Sequence, residues 1–184
     1  MMNMEGMTLE TWIALAKRCG FTYAAPIIPE KLTPMEMVRD ACAQDKCGAY
    51  GRNWTCPPYC GTLEQCAHKL HGYRKGILLQ TVGQLSKRID TRGYTRVEQA
   101  HLEAFHKLCG ELRKHYPDAL CLGSGGCRIC KRCAWPEPCR FPEEACASME
   151  GFGLFVTQVC RDAGLAYHYG EKTVTYCACI LFDR

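Results

Sequence analysis

Apolar residues fall along this chain in two rhythms, one at helical spacing and one in short continuous runs. Leu9, Trp12, Ile13 and Ala16 share a face that Thr8 opens and Gly20 stops, so a helix is predicted there. Thr33-Pro34-Met35-Glu36 combines a capping residue, a proline at the first helical position and a glutamate at the third, opening a helix toward Cys42. Thr62-Leu63-Glu64-Gln65 repeats the capping pattern before a short helix that ends at Gly72. Thr95-Arg96-Val97-Glu98 starts the longest predicted helix, with Val97, Phe105, Leu108 and Leu112 as its stripe. Ser148 is expected to cap a last helix carrying Phe152, Phe155, Val156, Val159, Cys160 and Ala163 before Gly164.

Strands are predicted between these helices. Residues 76–82 and 118–122 are compact apolar runs suited to buried strands. Residues 21–28 are interrupted by Pro26, which places that segment at a sheet edge. Leu165 to Tyr169, a Gly170-Glu171-Lys172 turn and Thr173 to Phe182 read as a hairpin. The expected fold class is α/β or α+β: one sheet covered by helices, with two cysteine-rich loops at 42–61 and 123–147 breaking the pattern.

At 184 residues and 47% apolar, the chain reads as one globular domain, 1–184, with a real core, and not as a disordered polymer. Its N-terminal stretch lacks the basic, apolar and small-residue regions of a secretory leader. The longest apolar run, Cys177 to Phe182, is far short of the roughly 20 residues that cross a bilayer. A soluble, cytoplasmic protein with no membrane partner is expected. Twenty-three basic against 19 acidic residues give a formal charge of +4, too mild for a nucleic-acid partner. Two groups, Lys69, His71, Arg74 and Lys75, and Lys87, Arg88, Arg92 and Arg96, read as solvated surface.

Sixteen cysteines change the picture. In a reducing compartment, in a chain long enough to bury a core unaided, thiols at this density read as metal ligands and not as disulfides. Cys127, Cys130, Cys133 and Cys139 form the sharper group. Three cysteines at successive spacings of two intervening residues are the ferredoxin arrangement, because a tight loop can present three thiolates to three corners of one cubane cluster. Cys139 lies five intervening residues on, with Pro142 following, and is the expected fourth ligand; Cys146 is the reserve. Glycines 123, 125 and 126 allow close backbone approach and N–H groups aimed at an anionic centre. Zinc is the competing occupant, although a third cysteine at the same short spacing exceeds the usual paired-ligand pattern.

The second group is Cys42, Cys47, Cys56 and Cys60, with four, eight and three intervening residues. These spacings match no common zinc finger. Pro57-Pro58 stiffens the loop, and Tyr50 and Trp54 are placed to keep water from a bound centre. Of the other thiols, Cys109, Cys121 and Cys160 fall on helix or strand faces and read as core. Cys177 and Cys179 share one strand face. His101 and His106 read as ordinary helix residues, and Glu150 as an acid–base candidate beside the metal site or a first-turn glutamate.

Taken in order, Cys47-Gly-x-Tyr-Gly-x-x-Trp-x-Cys-Pro-Pro, Tyr73-Arg74, Leu122-Gly-x-Gly-x-Cys-x-x-Cys-x-x-Cys, Cys139-Arg-x-Pro and Ser148-Met149-Glu150 resemble a bacterial and archaeal family of predicted metal-binding proteins, domain of unknown function 2284. The likeness runs from about residue 20 to 182, and it implies metal binding and nothing finer. On it, Cys42, Cys47 and Cys56 match the N-terminal cysteines of the family, and Cys127, Cys130, Cys133 and Cys139 its C-terminal group. Cys60 falls where the family pattern does not demand cysteine. If Cys60 is no ligand, an N-terminal 4Fe–4S cluster would keep one open iron.

Two functional readings follow. One is a redox protein with 4Fe–4S clusters, two if both groups are filled, moving electrons or using them in a small reductive or sulfur-handling reaction. Its partner would be a redox protein or a small-molecule substrate, since most of the chain is spent on more than holding clusters. The other is a zinc-organised scaffold whose thiolates only hold loops in place.

Overall fold

The computed structural model describes residues 7–184. The reading of the N-terminus as leaderless falls partly on residues 1–6, outside the described residues. The order is helix α1 (Leu9–Cys19), strand β1 (Tyr23–Ile27), a single 3₁₀ turn at Pro29–Lys31, α2 (Glu36–Ala43), α3 (Leu63–His71), β2 (Lys75–Gln84), α4 (Thr91–Arg113), β3 (Leu120–Leu122), α5 (Val156–Asp162) and β4 (Thr173–Phe182). The strands form one antiparallel sheet in the order β1-β2-β4-β3, an α+β fold.

The centre of the sheet is the β2–β4 pair, in register from Lys75 opposite Phe182 to Gln84 opposite Thr173. Strand periodicity splits its side chains between two cores. Ile77, Leu79, Ala178, Ile180 and Phe182 pack with Trp12 of α1 and Phe105, Leu108 and Leu112 of α4. Leu78, Cys177, Cys179 and Leu181 pack on the opposite face with Leu70 of α3, Val159 and Cys160 of α5, and Met149, Phe152 and Leu154. Burial on both faces is why these strands read as continuous apolar runs and not as an alternation. Helix α4 crosses β2 so closely that a Cβ on Gly83 would lie 2.1 Å from Val97 Cγ2; only glycine fits there. β1 is an edge strand and carries Pro26, as its sequence predicts.

Four expectations are corrected. Thr33 does not open α2, which starts at Glu36 after Met35 with no side-chain cap bond. Helix α4 starts at Thr91, four residues before Thr95. The Asp90 carboxylate caps it, accepting from the N–H groups of Ser86 and Gly93, which hold its pKa down at about 2. Ser148 caps no long helix: its hydroxyl accepts from Gly151 N–H at 2.8 Å, Gly153 takes φ +78°, and the helix begins only at Val156. The Met149–Leu154 spacing thus serves a buried turn. Residues 165–169 form no strand, because β4 already has β2 and β3 on its two edges. That segment covers Gln80, fully buried in β2, whose side-chain amide donates to Ala166 O and whose carbonyl accepts from Tyr169 OH, both at 2.8 Å. Among the described residues, no helix is long and apolar enough to cross a membrane.

Candidate metal centre

Both cysteine-rich segments leave the sandwich at points it fixes. One joins the end of α2 to the start of α3, where Thr62 and Gln65 close a reciprocal capping box. The other leaves β3 and returns through a parallel bridge between Gly123 and Ser148, with Gly123 N–H donating to Ala147 O at 2.8 Å and Met149 N–H to Gly123 O at 3.1 Å. The long 124–146 excursion therefore starts and ends at one place on the sheet edge. Its regular structure is slight because its residues serve turns and thiols, not a core.

Cys127, Cys130, Cys133 and Cys139 are all half-buried and line one cavity, which Asn53, Trp54 and Thr55 of the other loop close. The two loops are tied there by directed bonds. Cys127 N–H donates to Thr55 Oγ1 at 3.3 Å, and Asn53 Oδ1 in turn accepts from the Thr55 N–H and hydroxyl, both at 3.0 Å. Trp54 Nε1 donates to Glu137 O at 2.8 Å, and Trp54 lines the cavity wall. Ile129 and Phe141 complete an apolar rim. Gly126 lies against the N-terminal group: a Cβ on it would sit 3.4 Å from Cys56 Sγ. Cys146 lines a neighbouring cleft instead, and its thiol meets those of Cys109 and Cys121 with Arg113 Nη2 at 3.6 Å. Hydrogen bonds from those two thiols, helped by the guanidinium, pull its pKa well down.

The N-terminal group is arranged differently. Cys42, Cys47 and Cys56 stand within charge reach of one another, and Cys56 also within reach of Cys127. Cys42 Sγ lies 3.9 Å from Glu150 O. Cys60 is likewise within charge reach of Cys56, but its thiol donates to Gly151 O at 3.2 Å and pairs with Cys66, whose sulfur also receives Arg39 Nη2 at 3.3 Å. Cys60's hydrogen bond, with Arg39 adding, lowers the Cys66 pKa, and that of Cys60 rises. Burial pushes the Cys56 thiol up to about 11 and raises Cys42 and Cys127 as well, so these groups hold their protons unless a cation displaces them. Among the described residues, no three His, Cys, Asp or Glu side chains are gathered so as to hold a single metal ion.

Several contributors carry little sequence signal. Asn53 and Thr55 are common loop residues, and only the fold makes them a bridge between the two loops. Glu150 was legible as a residue near the site, but not as a buried carboxylate with one oxygen lacking any hydrogen-bond partner and a pKa raised by burial. The Cys66–Arg39 contact joins α3 to α2 across a long sequence gap and left no pattern to read. Cys109, Cys121 and Cys160 are buried, as their helix and strand positions predict; Cys160 lies 3.7 Å from Cys177, sulfur to sulfur.

No curated protein and no solved structure matches this chain. A family model does, over residues 25–182, a span that takes in every thiol of both groups. The chain belongs to the family described as predicted metal-binding protein, domain of unknown function 2284.

Proposed function

We propose that this is an iron–sulfur protein, with a 4Fe–4S cluster held by Cys127, Cys130, Cys133 and Cys139. The observation that carries the reading is that all four cysteines line a single cavity that Cys146, the reserve ligand, does not line; Cys146 shares only a neighbouring cleft with Cys127. The donor set fits the group. Four cysteines along one cavity, with Ile129, Ala134 and Phe141 among them, suit a soft, anionic cluster. Cys42, Cys47 and Cys56 are the ligands proposed for a second cluster, and the diversion of Cys60 toward Gly151 O and Cys66 supports an open position there.

When bound, such clusters supply one-electron transfer, and an iron without a protein ligand adds a Lewis-acid position. The chain's own residues set the conditions. Trp54 and Phe141 restrict water at the C-terminal cavity, which lowers the local dielectric. Thr55 and Asn53 fix the Cys127 backbone, so the first thiolate of the loop is oriented before binding. A redox partner protein or a small reducible substrate is the proposed recipient of the electrons.

Anaerobic purification of the full chain, followed by iron, zinc and acid-labile sulfide analysis, tests this. About eight irons and eight sulfides per chain are expected if both centres fill, with visible absorption bleached by dithionite. Colourless protein carrying zinc and no labile sulfide overturns the reading in favour of a structural zinc scaffold. A Cys60→Ala chain that keeps its full iron content supports the open position, and one that loses half of it removes that idea.

A further inference from the structure

We propose that the cleft between the two cysteine-rich loops binds a small anion carrying a flat ring, an aromatic carboxylate or phosphate ester. The proposal rests on the iron–sulfur reading only for what becomes of the ligand, not for its binding. The cleft has a volume of about 440 Å³, inside the range of small-molecule sites. Gly48, Arg52 and Asn53 form one side, and Arg132, Cys133 and Trp135 the other. Asn53 and Cys133 also line the four-thiol cavity, so a molecule in the cleft lies against the wall of the candidate centre.

The lining chooses the ligand class. Two guanidiniums from opposite loops are suited to a carboxylate or phosphate, because their planar forks bind such groups in paired hydrogen bonds. Arg52 is oriented by an ion pair with Asp45 that engages one nitrogen and leaves its other donors available. Arg132 makes no ion pair among the described residues. An indole wall favours a flat apolar ring on the same molecule. Trp135 is itself backed by Tyr59, with ring centroids 5.9 Å apart, and Tyr59 by Trp54 at 5.1 Å. Together with the Trp54–Glu137 bond this ties both cleft walls before a ligand arrives. A charge-balancing role, with the arginines only offsetting metal-bound thiolates, is the competing explanation and predicts no affinity for added anions.

Isothermal titration of the anaerobically purified full chain separates the two. Benzoate and phenyl phosphate, titrated separately, decide between carboxylate and phosphate ester, and at least one is expected to bind at roughly millimolar Kd or tighter. Benzamide, which lacks the charge, and cyclohexanecarboxylate, which lacks the flat ring, are expected to bind at least about tenfold more weakly. Arg132→Gln should weaken the better ligand about tenfold or more, while Arg128→Gln, outside the cleft and paired with Glu98, should not. Absence of binding by both anions overturns the proposal, as does equal binding of benzamide and cyclohexanecarboxylate or an unchanged Arg132→Gln chain. Metal and sulfide are measured on the same sample. Binding without sulfide keeps the cleft and sinks the cluster; sulfide without binding does the reverse.

Discussion

The helix-covered sheet and the cysteine-rich lobe beside it are held together by different physics. In the sheet, Leu78, Leu79 and Ile180 are fully buried between helices, and each side chain is restrained by many weak contacts. In the lobe, single bonds such as Trp54 Nε1 to Glu137 O and Cys127 N–H to Thr55 Oγ1 do the holding, and the four clustered thiols remain half-exposed. The first region resists change at every position. The second is organised by a few directed bonds, so damage should separate cleanly between them.

The largest expected effect tests that separation from the lobe side. If the proposed cluster is present, a Cys130→Ser/Cys133→Ser chain should lose it, taking roughly half of the iron and sulfide, because two remaining thiolates are too few to hold a cubane. Its far-ultraviolet circular dichroism should stay unchanged. A chain that loses its secondary structure along with its metal would break the comparison. From the sheet side, Leu108→Ala should cost about 2–5 kcal/mol of unfolding free energy through the cavity left under α4. Metal content per folded chain should not move, and denaturant melts with parallel metal analysis check both halves.

His101 sharpens the contrast through pH. It is buried on the sheet side, its ring nitrogen Nδ1 bonded to Thr81 Oγ1 at 2.9 Å and the other nitrogen unpartnered. Burial lowers its pKa from 6.5 to about 4. Above 6.5 the imidazole is neutral in both states, and the folded chain keeps its full stability. As pH falls, the unfolded chain binds the proton first, so stability is lost from about 6.5 down to about 4. The loss amounts to at most about 3 kcal/mol, and His101→Gln should flatten that part of the profile measured by thermal melts. The smallest effect is expected at the seam between the regions. Thr55→Val removes an oxygen that accepts from Cys127 N–H, and should cost about 1 kcal/mol. Cluster reconstitution followed by absorbance should slow in that chain and not in a Thr81→Val control.

Much of the scaffold was legible because local signals and burial agree in it. Thr8 and Thr62 cap their helices where the sequence says, and Pro26 marks an edge strand. Misreadings occurred where a nearer or a longer-range partner prevailed over a plausible local pattern. Asp90 capped α4 ahead of Thr95, and β2 and β3 took the sheet edges that residues 165–169 would have needed. The Cys127, Cys130, Cys133 spacing stands out in the sequence for the same reason a helix stripe does: a short repeated spacing is a local pattern.

The sequence alone determined that a covered sheet exists, where two of its five helices start, and that the chain resembles its family. Tertiary structure decided the rest: that Cys139 and not Cys146 completes the cavity lining, that Cys60 turns to Cys66 and Arg39, and that Asn53 and Arg52 face the second loop. Periodicity and ligand spacing act between neighbours in the chain and so leave a pattern in it. Contacts between loops far apart in sequence depend on how the sheet edge brings them together, and a lone asparagine or arginine carries no mark of the partner it will meet.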